Sequence, residues 1–203
     1  MDKTIKRSTD TKTYRLMDEI NRTITRSNFN GDFYESAMFT VNGVYYCMNN
    51  AGNSLYRWNT KSGEWRMLSK TYVKRGIYSA YKLGGFELKS YVLALLCLTD
   101  NFFEKYISDR NLVVNHCVST FDERIGYCPN RCVDSDVRYL EVVPHRANVK
   151  HGSFIHMFGL TDLYVSASDI KDLMPDMIID DVEHNRAVIK EYYLNKKPVV
   201  EFC

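Results

Sequence analysis

The sequence predicts an α+β protein with an antiparallel, β-rich front, a strand–strand–helix unit in the middle and a helical C-terminal tail. Three observations predict it. Tyr and Phe are abundant, 15 and 10 of 203 residues, and such side chains favour pleated, half-buried surfaces. Apolar runs in the first half are short and are punctuated by turn residues such as Asn42-Gly43. Beyond residue 86 the apolar period lengthens from two toward that of a helix. With 45% hydrophobic residues the chain can build a core and is not disordered by composition.

Residues 1–27 are polar and read as an arm or short helix, with Leu16, Ile20 and Ile24 at helical spacing. Residues 28–110 read as a β-rich module with one buried helix. "SAMFTV-NG-VYYCMN" is a hairpin, because Asn-Gly supplies the positive φ that both turn positions need. "SLYRWN-TKSG-EWRML" repeats the pattern with a longer turn, and "GIYSAYKL" alternates up to Gly84-Gly85, for four or five strands in all. Leu88, Val92, Leu95 and Leu96 then share one helical face, widened by Ala94 and Leu98, which predicts a largely buried helix over 87–98 and a shorter one near 102–107. In 111–160, "LVVNH" is a strand, a long loop follows, and "VRYLEVV" is a second strand. Pro144 breaks it and opens a helix, "PHRANVKHG", ending at Gly152. The tail, 161–203, offers N-cap chemistry in "SASDIKDLM" and a longer helix in "DDVEHNRAVIKEYYLNKK", acidic at its start and basic at its end as the helix dipole favours. There is no internal repeat.

Net charge is only +2, so no global polycation announces a nucleic-acid partner, but residues 1–110 are net basic and 161–203 net acidic. That gradient either orients the protein on a polyanion or is an ordinary solvated surface. No apolar run is long enough for a bilayer, and the polar start lacks a signal-peptide core, so the protein is expected to be soluble, cytoplasmic and without a membrane partner. Cys47, Cys97, Cys117, Cys128, Cys132 and Cys203 are then expected to be thiols or metal ligands rather than disulfides.

The chemistry concentrates in 111–152. A histidine at a strand end, His116, can take a proton from water aimed at phosphorus, while a hard divalent ion polarises the phosphate and stabilises the leaving oxygen. Asn148 and His151 lie three apart and share a helix face. Asn115 neighbours the base, although alternation sends adjacent strand side chains to opposite faces unless the strand ends or bulges there.

"VVNH…YLEVVPHRANVKHG", about 40 residues from 113 to 152, resembles the HNH endonuclease family, especially the homing-type enzymes of phages and mobile introns, whose fold is an HNH ββα-metal module. The resemblance implies a metal-dependent DNA endonuclease: His116 as general base, Asn115 and Asn148 holding Mg²⁺ or Mn²⁺, and His151 as a further ligand or phosphate contact. It also implies a bacterial host in the phage case. Tyr139 replaces the family's middle Asn, which orients the base, and the loop before it is longer than usual; Asp134, Ser135 or Asp136 are the candidates to substitute. That departure motivates the alternative, a catalytically degenerate HNH-derived module that binds nucleic acid or a protein partner without cleaving.

Cys117, Cys128 and Cys132 form a loose zinc option without a fourth ligand. Arg146 and Lys150, four apart, either meet backbone phosphates or form a wet helix face, and His145 beside them reads as a solvated surface residue. His156 sits in an apolar, strand-like run and reads as a core residue. In the front sheet Arg57, Trp58, Lys61, Trp65 and Arg66 interleave charge with aromatics, a pattern that can grip DNA through backbone contacts and stacking, with Lys70, Lys74 and Arg75 extending it. The acidic tail is better suited to packing, dimer contact or protein binding, or it imitates a helix-turn-helix; a regulator acting through it is a third function class.

Overall fold

The computed structural model describes residues 6–8, 11–73 and 77–194; Lys74, Arg75 and Cys203 lie outside them. The described residues fall into two compact units. The first is the chain up to Asn111 joined by Ser135–Arg138, and the second is Leu112–Asp134 with the chain from Tyr139 onward.

In the first unit, α1 (Lys12–Thr23) starts where Thr11 accepts a hydrogen bond from the Tyr14 N–H and buries Leu16, Met17 and Ile20. Five strands follow in an antiparallel sheet whose spatial order is their chain order: β1 (Thr25–Phe29), β2 (Tyr34–Val41), β3 (Val44–Asn49), β4 (Ser54–Asn59) and β5 (Glu64–Met67). The β2–β3 turn is the expected Asn42-Gly43, both at positive φ, with Val41 opposite Val44. Strict alternation buries Ala37, Phe39, Val41, Tyr46, Met48 and Leu55, and α1 packs on β2. A second sheet holds β6 (Thr71–Val73), β7 (Tyr78–Leu83) and β8 (Phe86–Lys89) in that order.

The helix expected over 87–98 begins later. Residues 86–89 pair with β7 across a two-residue turn, Leu83 opposite Phe86, and α2 runs Ser90–Leu98 with every residue buried. Hairpin pairing, which satisfies β8's backbone at once, prevails over a helical period that Leu88 shares only by coincidence. Helix α3 (Phe102–Ser108) completes the run. Eight strands thus stand where four or five were predicted.

Ser135–Arg138 is locked into this unit by buried polar contacts. Lys70 donates to the Ser135 hydroxyl at 2.7 Å, Ser135 donates to the Asn53 side-chain oxygen at 3.2 Å, and Asn53 donates to Asp136 at 3.1 Å. Asp136, fully buried, also takes a two-pronged bond from Arg138, at 2.9 and 2.6 Å. Gly52 makes the approach possible: at φ +104°, a Cβ there would lie 2.4 Å from the Ser135 carbonyl oxygen.

In the second unit, β9 (Leu112–His116) leads into a hairpin, β10 (Ser119–Asp122) and β11 (Gly126–Pro129), and then to β12 (Leu140–Pro144), which returns antiparallel to β9. Helix α4 runs His145–Met157, well past Gly152. Phe154, Ile155 and Phe158 bury in the unit's core, outweighing the cost of about 1 kcal/mol for a helical glycine. The stop is instead Gly159, at φ +63°, where the Leu160 N–H bonds the Ile155 carbonyl at 3.0 Å. Helices α5 (Ile170–Leu173) and α6 (Val182–Tyr193) add Ile170, Leu173, Ile189 and Tyr193 to the same core. Leu173, Ile189 and Tyr193, from the stretch 161–194, thus share one core with Phe154 and Ile155 of α4. No helix of the described residues is long and apolar enough to cross a membrane.

Candidate functional site

The motif residues sit on a strand–strand–helix unit. β9 and β12 pair with His116 opposite Leu140 and Asn115 opposite Glu141, and α4 follows β12 directly and packs on both strands. Alternation persists to the strand end. The Asn115 amide donates to Glu141 Oε1 at 2.8 Å, and the Cys117 thiol, two residues on, reaches the same oxygen at 3.5 Å. His116 therefore leaves the opposite face.

There its ring is held by the main chain of the long loop. Nε2 lies 3.1 Å from the Asp134 carbonyl oxygen. A carbonyl only accepts, so Nε2 carries a proton in this contact. Of Asp134, Ser135 and Asp136, it is thus Asp134 that meets the ring, and through its backbone. Ser135 and Asp136 are committed to the first unit. Tyr139 is a core residue, packed with Val118, Val133 and Tyr164, and its carbonyl accepts from the Cys117 N–H at 2.8 Å.

Sequence reasoning passed over Glu141. Its Oε1 also accepts from the Ala167 N–H, and its Oε2 accepts from the Ser166 and Ser168 hydroxyls at 2.9 and 3.0 Å. Burial alone would push its carboxyl up, but the bonds from Ala167, Asn115, Ser166 and Ser168 outweigh burial and hold it below the ordinary range. A charged residue inside the apolar strand "LEVV", opposite an asparagine, was the available signal.

His151 is buried on α4, with Nε2 donating to the Val165 carbonyl at 2.8 Å; burial lowers its pKa and favours the neutral ring. The expected ligand thus has a structural task, tying α4 to the loop before α5. Asn148, three residues earlier, is half-buried in a groove on α4 with Val149, Gly152, Ser153, His156 and Met157. His156 is exposed on this helix beside the Tyr127 ring, 5.3 Å between centroids, and not a strand core residue. Arg146 and Lys150 are exposed one turn apart, and His145 is exposed at the helix start.

Cys117 and Cys128 are buried and Cys132 is exposed; burial pushes the Cys128 thiol up, away from the thiolate a zinc site needs. Among the described residues, no three His, Cys, Asp or Glu side chains gather to hold a metal. Asparagines remain as oxygen donors. Hard oxygen donors of this kind suit Mg²⁺ or Mn²⁺.

In the first unit, Arg57, Lys61 and Arg66 are all exposed, but alternation separates what the sequence interleaves. Arg57 pairs with Arg66 on one face of β4–β5, and Trp58 with Trp65 on the other, their rings 5.4 Å apart edge to face. Charge and stacking surface do not share a face.

No protein-family model, curated protein or solved structure matches this chain.

Proposed function

We propose that the chain is a metal-dependent, HNH-type DNA endonuclease hydrolysing phosphodiester bonds. The observation that carries this reading is His116, at the end of β9 with its Nε2 donating to the Asp134 carbonyl. Its Nδ1 takes a proton from water, the water oxygen bonds phosphorus, and the bond from phosphorus to the leaving oxygen breaks. Asn148 would hold Mg²⁺ or Mn²⁺, which when bound would polarise the phosphate and offset charge on the leaving oxygen, whereas Asn115, buried and bonded to Glu141 on the face opposite His116, is left to the second reading. Asn148 is uncharged, so the phosphate would supply the anionic share of the ion's ligands. Arg146 and Lys150 on α4 suit backbone phosphates. The test is plasmid nicking with Mg²⁺ or Mn²⁺, wild type against His116→Ala. Activity is expected in the first and not in the second; no metal-dependent nicking, or equal nicking, sinks the claim.

The second reading is a non-cleaving, HNH-derived binding module. It is favoured by the opposite facing of Asn115 and His116 and by the commitment of His151 to Val165. It expects duplex binding that neither ion alters and no nicking at all.

A further inference from the structure

The β4–β5 hairpin contributes almost nothing to the core. Leu55 is its one buried residue; from Tyr56 to Met67 no residue is buried, and all but Tyr56, Trp58 and Asn59 are exposed. β5 is a sheet edge, and all four of its residues are exposed. On one face Arg57 and Arg66 stand directly opposite each other. Like charges so placed destabilise a sheet by a few tenths of a kcal/mol up to about 1 kcal/mol, and neither guanidinium meets a carboxylate among the described residues. Lys61 crowns the turn, and Glu64 is the ribbon's lone acid. On the other face Trp58 and Trp65 brace each other, with Tyr56 and Met67 paired beside them.

We propose that this ribbon is a duplex-binding arm, in which Arg57 and Arg66 together clamp backbone phosphates of double-stranded DNA. Two guanidinium groups on directly paired residues suit phosphate oxygens, which relieve their mutual repulsion. A two-stranded ribbon has the width that the major groove admits, and the uncharged aromatic face lies against sugar rather than phosphate. The proposal rests on DNA as the substrate of the reading above, but not on cleavage.

The experiment is binding of a labelled short duplex, followed by fluorescence anisotropy in EDTA across a salt series. With a slope near 0.9 per phosphate contact, loss of two contacts in Arg57→Ala/Arg66→Ala lowers the salt slope by about 2 and weakens binding about 30-fold at ~0.15 M salt. The control Lys171→Ala/Lys190→Ala removes the same charge from the acidic end of the chain and leaves the slope unchanged. Both tryptophans of the chain lie on the ribbon, so their emission reports this element alone and is expected to shift on adding duplex. Unaltered emission of the free Arg57→Ala/Arg66→Ala protein shows that the ribbon still folds, and Arg57→Lys/Arg66→Lys restores the slope. Equal losses in both Ala pairs, an unchanged slope in the ribbon pair, or equally tight binding to phosphatidylserine vesicles overturns the proposal. Because EDTA removes cleavage, duplex binding through the ribbon with no nicking in Mg²⁺ defeats the nuclease reading alone.

Discussion

Replacing Glu141 by Ala should unfold much of the second unit, and the hydrogen-bond pattern sets the size. The substitution leaves two obligate donors, the Asn115 amide and the Ala167 N–H, buried without an acceptor. The Ser166 and Ser168 hydroxyls already lie 2.6 Å apart and can bond each other, so they add little. Each of the two orphaned donors costs about 1–3 kcal/mol and the vacated methylenes about 1 more, giving a loss of about 3–7 kcal/mol. Glu141→Gln behaves differently. Its carbonyl keeps both obligate donors and its amide turns to the serine oxygens, so only charge assistance is lost, about 1–2 kcal/mol. Both tryptophans lie in the other unit, so the assay is urea unfolding followed by tyrosine near-UV circular dichroism, with hydrogen exchange at the Ala167 amide as the local probe. A Glu141→Ala protein within about 0.5 kcal/mol of wild type, or a Gln variant as costly as Ala, would refute the reasoning.

The second unit should weaken on acidification in two stages. The folded His151 pKa is lowered, so its contribution is full above the unfolded histidine value and is lost as pH falls through the folded one. Glu141, also lowered, withdraws its share only below the ordinary glutamate range. In Glu141→Gln the second stage should vanish from a melting-temperature profile against pH, and its persistence would count against the assignment. Gly52→Ala should cost the first unit about 2–5 kcal/mol, because the new Cβ meets the Ser135 oxygen at 2.4 Å and the Ala94 Cβ at 2.5 Å in a left-handed backbone; tryptophan-monitored urea unfolding reads it, and a neutral result would contradict the close approach. Asn148→Ala should abolish nicking without moving the unfolding midpoint, since the side chain is half-exposed and outside the core; nicking at the wild-type rate would remove it from the proposed metal site.

Local chemistry made much of the fold legible. Asn42-Gly43 dictates its hairpin wherever the strands lie, and the all-apolar run in α2 reads as buried in any context. What escaped was competition decided by packing. Residues 86–89 satisfy both a helical and a strand reading until β7 is present to pair with them. Gly152 and Gly159 are equal as stop signals in a string of letters, and only the burial of Phe154, Ile155 and Phe158 separates them. In the candidate site, the family resemblance pointed to His116 and Asn148, but nothing pointed to the Asp134 carbonyl, because a backbone acceptor leaves no mark in the side-chain alphabet. Glu141 did leave one, a charge where the strand should be apolar. The interleaved Arg and Trp of β4–β5 show the reverse error: adjacency along a strand means opposition across the sheet.

The locked segment Ser135–Arg138 bears on how the molecule can be divided or inherited. The chain leaves the first unit after Asn111, builds β9 to β11, returns for four residues, and departs again at Tyr139. No single cut along the polypeptide yields both units whole. A fragment ending at Asn111 would lack the partners of Asn53 and Lys70, and one starting at Leu112 would carry Asp136 with only Arg138 to answer it. The two units are interleaved along the sequence, so neither could be exchanged by simple joining of gene segments, and a split reporter or truncation meant to isolate either one must carry the stitch with the first.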